Sequence, residues 1–392
     1  MNVRCPGCNA TLKFLPELGK MSCSFCGNTY SPNEINKNDT SSNSSEMSDS
    51  VKMRKRNFET IKVQMALCTS CGADLAMTDV EVSSFCPYCG QATIIKDRID
   101  DYMKPDCIIP FKITQDEAYK IIKDSMENIY FIPNEFKNVT IEMLRGIYIP
   151  FWLYDIYCED EQKWKLPNHE ASYANPIMIR AANANFKNLT VDGLKQLNDE
   201  SSQRLEPYDL SELVPFNVSY LSGFYADRFN EAGADTKLIA KGRVISMLYE
   251  SVKEAMPSGS ALLSRHPKVL IEGEKYALLP AWFLTFRYDD KTYTALVNGQ
   301  TGKLVSAYPY SKKKIAVFVS IFSVLFSLIT WKFWSALVTT CDARILALLA
   351  FMICFIGGIA FHRIKHVNDS LALTTSSTTR KYVTKRQADI NT

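Results

Sequence analysis

Apolar residues recur at helical spacing in two stretches of the chain. The first begins at Thr114, which forms a capping box with Glu117, and stops before Pro133. Its apolar positions are Ala118, Ile121, Ile122, Met126 and Ile129. The second runs from Leu238 to Met256, with Ile239, Val244, Leu248 and Val252 on one stripe. This spacing predicts two amphipathic helices, and a shorter helix is expected over 192–198.

Between and after these helices the pattern is typical of β-strands. β-Branched and aromatic residues dominate 107–113, 141–157, 276–288, 292–297 and 304–308. We expect 141–157 to break at Pro150, since proline lacks the N–H that a central strand donates. Turn sequences at Asp289-Asp290 and Asn298-Gly299 connect the last strands into a meander. Residues 101–310 are therefore predicted to form an α+β domain with antiparallel strands.

A faint repeat lies within this domain. Residues 149–153 read IPFWL and resemble 279–283, which read LPAWF. Residues 109–111, IPF, are a shorter third instance. Duplicated strand units would explain the likeness, and chance recurrence of proline beside aromatic residues in a β-rich chain is the alternative.

Two uninterrupted apolar stretches follow, 315–331 and 345–361, each with 17 residues and no charge. As a helix each would be about 25 Å long, close to the ~30 Å of a hydrocarbon core. Since neither has a polar face, we predict a transmembrane helical hairpin over 311–366. Lysines at 312–314 and the basic residues Arg363 and Lys365 place both ends in the cytoplasm by the positive-inside rule. The sequence thus predicts a multi-pass cell-membrane protein with cytoplasmic N- and C-termini and a cytoplasmic tail, 367–392.

Composition and charge exclude several classes of protein. Hydrophobic residues make up 46% and charged residues 22%, as in ordinary globular proteins. A net charge of +3 gives no overall drive toward nucleic acid. The segment 36–50, NKNDTSSNSSEMSDS, is too polar to form a core, so a disordered linker is predicted over 31–58.

Eight of the 12 cysteines form four Cys-x-x-Cys pairs whose spacing repeats. In each half, 14 residues separate two pairs, and the second half follows the first at an offset of 63 residues. Such a repeat indicates two copies of one module. A Cys-x-x-Cys turn directs two thiolates at one tetrahedral ion, and a second turn completes the set. We predict two zinc ribbons, 1–30 and 59–100, that hold two Zn²⁺ ions through Cys5, Cys8, Cys23 and Cys26 and through Cys68, Cys71, Cys86 and Cys89.

Redox-active pairs and disulfides explain these cysteines less well. A thioredoxin-type pair begins a helix in a βαβ unit, and disulfides require export, for which no signal peptide is visible. The residues that follow the pairs, Asn9, Gly27, Gly72 and Gly90, suit a left-handed backbone that turns an N–H toward sulfur. A closed Cys₄ site leaves no position for substrate, so the predicted role is structural. Buried thiols are expected for Cys107, Cys158, Cys341 and Cys354.

No catalytic motif is apparent. The chain lacks a nucleophile elbow, a phosphate loop and a dinucleotide fingerprint, and His169 and His266 lie in polar contexts. The acidic run Asp155, Glu159, Asp160 and Glu161 is interpreted as a solvated loop. We predict neither catalytic nor organic-cofactor residues. The basic cluster Lys52, Arg54, Lys55 and Arg56 could contact phosphate, although a solvated linker end explains it as well.

Three stretches resemble a bacterial family known as TFIIB-type zinc ribbon-containing proteins. They read IYIPFWLY at 147–154, LEPYDLSELVPFNVSYLSGFYAD at 205–227 and LLPAWFLTFRYDDKTYTALVNGQTGKLV at 278–305. In that family a ribbon precedes this domain and membrane helices follow it. The resemblance covers roughly 70–310 and implies an architecture rather than an activity, while the extra N-terminal ribbon departs from the usual pattern.

Three functional hypotheses follow from the sequence. The first is a non-catalytic zinc-ribbon adaptor or scaffold, anchored in the membrane and facing the cytoplasm. It would contact membrane lipid and would bind a protein partner through Phe14, Leu15 and Leu18. The second is a membrane-tethered nucleic-acid-binding protein, and the third is an unrecognised membrane enzyme acting through 101–310.

Overall fold

The computed structural model describes most of the chain from 3 to 328, with gaps. The described residues are 3–35, 59–68, 74–77, 86, 95–127, 129, 131–134, 141, 144–167, 176–193, 204–227, 233–288, 291–306, 308–309, 311, 313–321, 323–324 and 328. The predicted linker core, the basic cluster at 52–56, the histidine at 169 and the second apolar stretch, 345–361, lie outside them.

The N-terminal module is a small antiparallel sheet of three strands. They are β1 (Leu12–Leu15), β2 (Lys20–Cys23) and β3 (Thr29–Tyr30), and a one-turn helix, α1 (Pro32–Ile35), follows. Leu12 pairs with Cys23 and Leu15 with Lys20, so the hairpin brings the two ends of the module together.

All the other strands among the described residues belong to one large mixed sheet. Its strands are β4 (Thr60–Cys68), β5 (Asp74–Met77), β6 (Ile95–Met103), β7 (Cys107–Ile108), β8 (Leu144–Lys165), β9 (Ile177–Asp192), β10 (Val214–Pro215), β11 (Tyr225–Asp227), β12 (Ala261–Tyr288), β13 (Lys291–Asn298) and β14 (Leu304–Ser306). The main order is β10-β7-β12-β8-β11-β5-β4-β6, with β9 on β8, β13 on β12 and β14 on β13. Strands of the second cysteine module therefore continue the sheet of the central region.

The two long predicted helices are confirmed. They are α2 (Gln115–Glu127) and α3 (Gly233–Glu254). The capping box is present at the start of α2, where the Thr114 N–H donates to the Glu117 carboxylate at 2.8 Å and the Glu117 N–H donates back to the Thr114 hydroxyl at 3.1 Å. Two 3₁₀ turns, η1 (Leu210–Glu212) and η2 (Val218–Leu221), precede β11. Of the helix expected over 192–198, Asp192 instead ends β9, Gly193 is not helical, and 194–198 lie outside the described residues.

The predicted break at Pro150 is wrong, because β8 runs through it without interruption. On one side Pro150 lies opposite Leu278 of β12. On its other side β8 pairs with β11 at Ile147 and Tyr148, and with β9 only from Phe151 onward. Proline is tolerated here because it lies where one neighbouring strand has ended and the next begins, so its missing N–H interrupts neither ladder.

Pro280 occupies the equivalent place in β12. There the parallel neighbour β7 ends at Leu278, and the antiparallel neighbour β13 begins at Ala281. The two repeat segments thus lie side by side in antiparallel strands, each with a parallel strand before its proline and a hairpin partner after it. This shared environment agrees with duplicated strand units.

The long strands have a trunk and an arm. The trunk comprises 146–154 of β8 and 276–284 of β12, and every side chain in it is buried. Successive residues enter two apolar cores on opposite faces, with Tyr148 and Trp152 in one and Ile149 and Phe151 in the other. The arm comprises 156–165 of β8, 177–186 of β9 and 261–271 of β12, and α3 covers one face of it.

The predicted fold class is wrong in two respects. The described chain is mainly β, with few helices and one large sheet that includes strands of the second predicted ribbon, rather than two small β ribbons followed by an α+β domain. Among the described residues, no helix has the length and apolar content needed to cross a membrane. This contradicts the predicted transmembrane hairpin and, with it, the multi-pass localisation and the membrane anchoring of all three hypotheses.

Candidate metal centre

Four cysteines of the N-terminal module converge on one point. The sulfur atoms of Cys5, Cys8, Cys23 and Cys26 all lie within 4.8 Å of one another, with 3.6 Å between Cys5 and Cys26 and 3.4 Å between Cys8 and Cys23. These distances are too long for a disulfide, whose sulfurs are about 2.05 Å apart. Four thiolates bound tetrahedrally at about 2.3 Å would be about 3.8 Å apart, close to the observed spacing. This group can hold a metal ion.

Two equivalent turns position the four thiols. In the first, the Asn9 N–H donates to the Cys5 carbonyl at 2.8 Å; in the second, the Gly27 N–H donates to the Cys23 carbonyl at 2.9 Å. Both turn residues have positive φ, 61° for Asn9 and 74° for Gly27, which confirms the left-handed conformation predicted for them. Each turn therefore directs a cysteine pair inward, because the chain reverses immediately after the second cysteine.

The four thiols differ in acidity. Burial raises the pKa of Cys5, but hydrogen bonds from the Tyr30 hydroxyl and from the N–H groups of Gly7 and Cys8 outweigh it and lower that pKa to about 6. The pKa of Cys23 is also lowered, mainly by the N–H of Cys26. Thiolate is the form that binds metal, so the fold favours ligand deprotonation on one cysteine of each pair.

The module packs against the large sheet through β1. The Phe14 ring contacts the Tyr220 ring edge-on at 5.3 Å, and the Phe14 N–H donates to the Ser222 carbonyl at 3.2 Å. The Ser222 hydroxyl donates to the Leu12 carbonyl, and the Asn217 side chain donates to the Pro32 carbonyl at 2.9 Å. The apolar core of the module is continuous with one core of the large sheet. The segment 217–222, which contains η2, is therefore the platform of the metal centre.

This contact corrects the predicted docking surface. Phe14 is only 3% exposed, so its partner is the chain's own Tyr220. Leu15 is partly buried, and only Leu18 of the three predicted docking residues is well exposed. Sequence reasoning missed Phe25, which is 82% exposed between two ligand cysteines. Its position was a usable signal, since the middle residues of a Cys-x-x-Cys turn point away when the thiols point inward.

The second cysteine module is described only in part. Cys68 ends β4, and both Cys68 and Cys86 are buried, whereas 71 and 89 lie outside the described residues. Cys68 and Cys86 belong to the apolar core on the face opposite the one that the first module joins. Strand β11, which directly follows the platform segment, pairs with β5 of this module through Tyr225 and Met77. The two cysteine modules thus contact adjacent parts of one segment, 217–227.

The other candidate residues do not converge. Along β8, Asp160 is buried and accepts hydrogen bonds from Gln162 at 2.8 Å and from the His266 N–H at 3.1 Å. Glu159 and Glu161 are exposed on the opposite face. The acidic run therefore lies on a strand whose successive side chains point to opposite faces. It is not a solvated loop, and its carboxylates do not form one site. Cys107 is partly buried and Cys158 is buried, and burial raises the pKa of Cys107 to about 11.

Comparison with known proteins gives one informative similarity. A protein of Bacillus subtilis (strain 168) described as "Uncharacterized protein YdjG" is 26% identical over 332 residues, which cover 82% of this chain and 93% of that protein. No family model matches the chain, and no solved structure matches it. The resemblance to zinc ribbon-containing membrane proteins stays a prediction. Fold and site together define a mainly β protein with a group of four cysteines that can hold a metal ion.

Proposed function

We propose that the chain is a non-enzymatic zinc protein whose ribbons serve to bind another protein. The observation that carries the proposal is the convergence of four thiols on a module whose apolar core is continuous with that of the large sheet. All-sulfur sets favour zinc among the abundant divalent metals, and a closed set leaves no open position for catalysis. A second zinc would be held by Cys68, Cys71, Cys86 and Cys89, whose spacing repeats that of the first four.

The zinc would act by fixing a small surface in place. Phe25 is 82% and Leu18 56% exposed, and both lie on the module whose opposite face is occupied by Tyr220. Large exposed apolar side chains on a rigid support are typical anchors of protein interfaces. The partner inferred from this chemistry is a protein with an apolar pocket.

Metal content tests the first part of the proposal. Purified full-length protein should contain two zinc ions per chain by elemental analysis. Cys26→Ser should release one ion and increase amide hydrogen exchange in 12–23 and 217–222, because the loss of the centre frees β1 from its platform. Cys107→Ser, which changes a cysteine outside the group, should keep both ions. Unchanged zinc content in Cys26→Ser would contradict the assignment.

Site-specific cross-linking tests the second part. A photo-reactive amino acid at position 25 should form cross-links to protein in cells, and these should persist after nuclease treatment. The same group at position 238, which is 68% exposed on α3, is the control and should not capture the same partner. Cross-links to nucleic acid, or loss of the product with nuclease, would replace the protein partner with a nucleic acid.

A further inference from the structure

Strand β9 forms an open edge of the sheet within the described part of the chain. It pairs only with β8, and Ile177–Phe186 lie opposite Lys165–Ile156 in unbroken register. At about 3.3 Å per residue this straight segment is roughly 33 Å long. Unpaired backbone N–H and C=O groups along such an edge are a template for another strand.

The hydrogen-bond pattern identifies the outward-facing residues. The Leu166 N–H donates to the Pro176 carbonyl at 2.9 Å, so these two residues form a hydrogen-bonded pair at the end of the ladder. Hydrogen-bonded and non-hydrogen-bonded pairs alternate between antiparallel strands. The outward N–H and C=O groups of β9 therefore belong to Ile177, Ile179, Ala181, Asn183 and Asn185.

This edge lacks the usual protection against pairing. Natural edge strands carry charges, prolines or bulges that block a second strand. Residues 177–186 contain one charge, Arg180, and no proline. The first irregularity is near Asn188, which has a φ of 52° and lies beyond the straight segment. The exposed side chains Ile177, at 64%, and Ile179, at 58%, add apolar surface beside the outward groups.

Helix α3 adds apolar surface on the other face of the edge. Arg243 donates to the Thr190 carbonyl of β9, whereas Lys237 pairs with Glu274 of β12 at 2.8 Å. The side of α3 that carries Arg243 therefore lies over β9. Met247 is one turn further along the same side and is 49% exposed. A strand added to β9 would contact apolar residues on both faces.

We propose that this edge is a dimerisation surface, on which β9 of a second copy of the chain pairs antiparallel about a twofold axis at Ala181. This register uses all five outward residues of each strand in five pairs, with two hydrogen bonds in each pair. The open face of β8 is basic at Lys163 and Lys165 and acidic at Glu159 and Glu161. In this antiparallel register Lys163 of each copy faces Glu159 of the other across the two β9 strands, and Glu161 faces its own counterpart, whereas in-register parallel pairing would oppose all four charges to their own counterparts.

The expected contact is large enough for a dimer. A contact roughly 33 Å long and 15 Å deep, counting α3, buries on the order of 1,000 Å² from both copies together, which is the lower end of specific interfaces. The inference uses no metal ligand, so its failure would leave the proposed zinc sites untouched.

Sedimentation velocity of the full-length zinc-loaded protein over a range of concentrations tests the dimer. The wild type should dimerise, and Ile179→Lys with Asn183→Pro should weaken dimerisation at least tenfold. The proline removes an outward N–H without affecting the β8 ladder. Leu270→Lys, at a 55% exposed position on β12 of the same face, should not weaken it. A monomer at every concentration, or a dimer that the β9 variant does not weaken, would overturn the proposal.

Cysteine cross-linking tests the register and does not depend on affinity. Ala181→Cys should form an intermolecular disulfide on mild oxidation, because Cα atoms of a hydrogen-bonded pair are about 5.5 Å apart. Asn183→Cys should not, since its counterpart would lie four residues along the partner strand, beyond the reach of a disulfide. Equal cross-linking of both variants, or none of Ala181→Cys, would contradict the twofold pairing at Ala181.

Discussion

The trunk and the arm are parts of the same long strands, yet they bury their side chains differently. In the trunk both faces of β8 are covered, so its residues read as a continuous apolar run, IYIPFWLY. In the arm only the α3 face is covered, and buried Ile156, Cys158, Asp160, Gln162 and Trp164 alternate with more exposed residues. The change from continuous to alternating burial marks the point at which one layer of structure ends.

The trunk and the arm also differ in how many polar side chains they bury. On the covered face of the arm, the Trp164 indole N–H donates to the Gln162 side-chain oxygen at 3.0 Å, and the Gln162 amide donates to Asp160 at 2.8 Å. Each buried polar group satisfies the next along one strand. The core of the trunk instead relies on aromatic packing, as in the stacked rings of Phe111 and Phe224 at 4.2 Å. Substitutions should therefore damage the trunk through cavities and clashes, and the arm through lost hydrogen bonds.

The largest effect is expected for a cavity in the trunk. Ile149→Ala removes a fully buried side chain and should lower the free energy of unfolding by ~2–5 kcal/mol. Leu270→Ala on the open face of the arm should change it by less than about 0.5 kcal/mol. Urea unfolding followed by fluorescence measures both variants. Similar losses in both would mean that trunk and arm do not differ in burial as described.

The next effect is a clash in the trunk. A Cβ atom on Gly146 would lie 2.5 Å from a ring carbon of Phe224, within the packed aromatic cluster. Gly146→Ala should therefore cost ~1–3 kcal/mol. Gly242→Ala, on α3, meets no atom within 4 Å and should stabilise by about 0.5–1 kcal/mol through helix propensity. In thermal unfolding, the melting temperature of Gly146→Ala should lie below that of the wild type and that of Gly242→Ala above it.

A smaller effect should follow in the arm when its hydrogen-bond chain is interrupted. Gln162→Met keeps the volume but leaves the Trp164 N–H and one oxygen of Asp160 without this partner, which should cost about 1–3 kcal/mol. Because α3 covers these hydrogen-bonded side chains, amide hydrogen exchange in Gln162→Met should rise in α3 more than in the trunk. Lys163→Met, the neighbouring change on the open face, is the control. Equal amide hydrogen exchange in both variants would show that these hydrogen bonds do not stabilise the arm.

The smallest effect concerns pH at the base of the arm. Burial raises the pKa of Glu206, although the Thr190 hydroxyl and nearby Arg243, 3.7 Å away, act against the shift. The unfolded chain then loses this proton at lower pH than the folded one, so stability falls as pH rises through the interval between the two pKa values. Glu206→Gln should remove that fall, on the order of 1 kcal/mol or less.

Urea unfolding at several pH values measures this dependence. Glu250→Gln, an exposed change on α3, should retain the wild-type dependence. If the free energy of unfolding of Glu206→Gln varies with pH as it does in the wild type, the pH dependence arises from other groups.

The sequence alone determined the features that depend on local spacing. Cysteine spacing gave the metal group, because a Cys-x-x-Cys turn fixes two thiols within a few residues. The capping box and apolar period gave α2 and α3, since both act within single helical turns. The left-handed residues Asn9 and Gly27 were likewise readable, because backbone sterics at one position decide them.

The tertiary structure decided what depends on distant neighbours. Pro150 stays within a strand because β11 ends and β9 begins beside it, which no local pattern records. Phe14 is buried because Tyr220, far along the chain, lies against it. The apolar stretches 315–331 and 345–361 satisfied the sequence criterion for membrane spans, yet among the described residues no helix is long and apolar enough to cross a membrane. Local sterics act within a few residues, whereas burial and pairing depend on which remote segments meet.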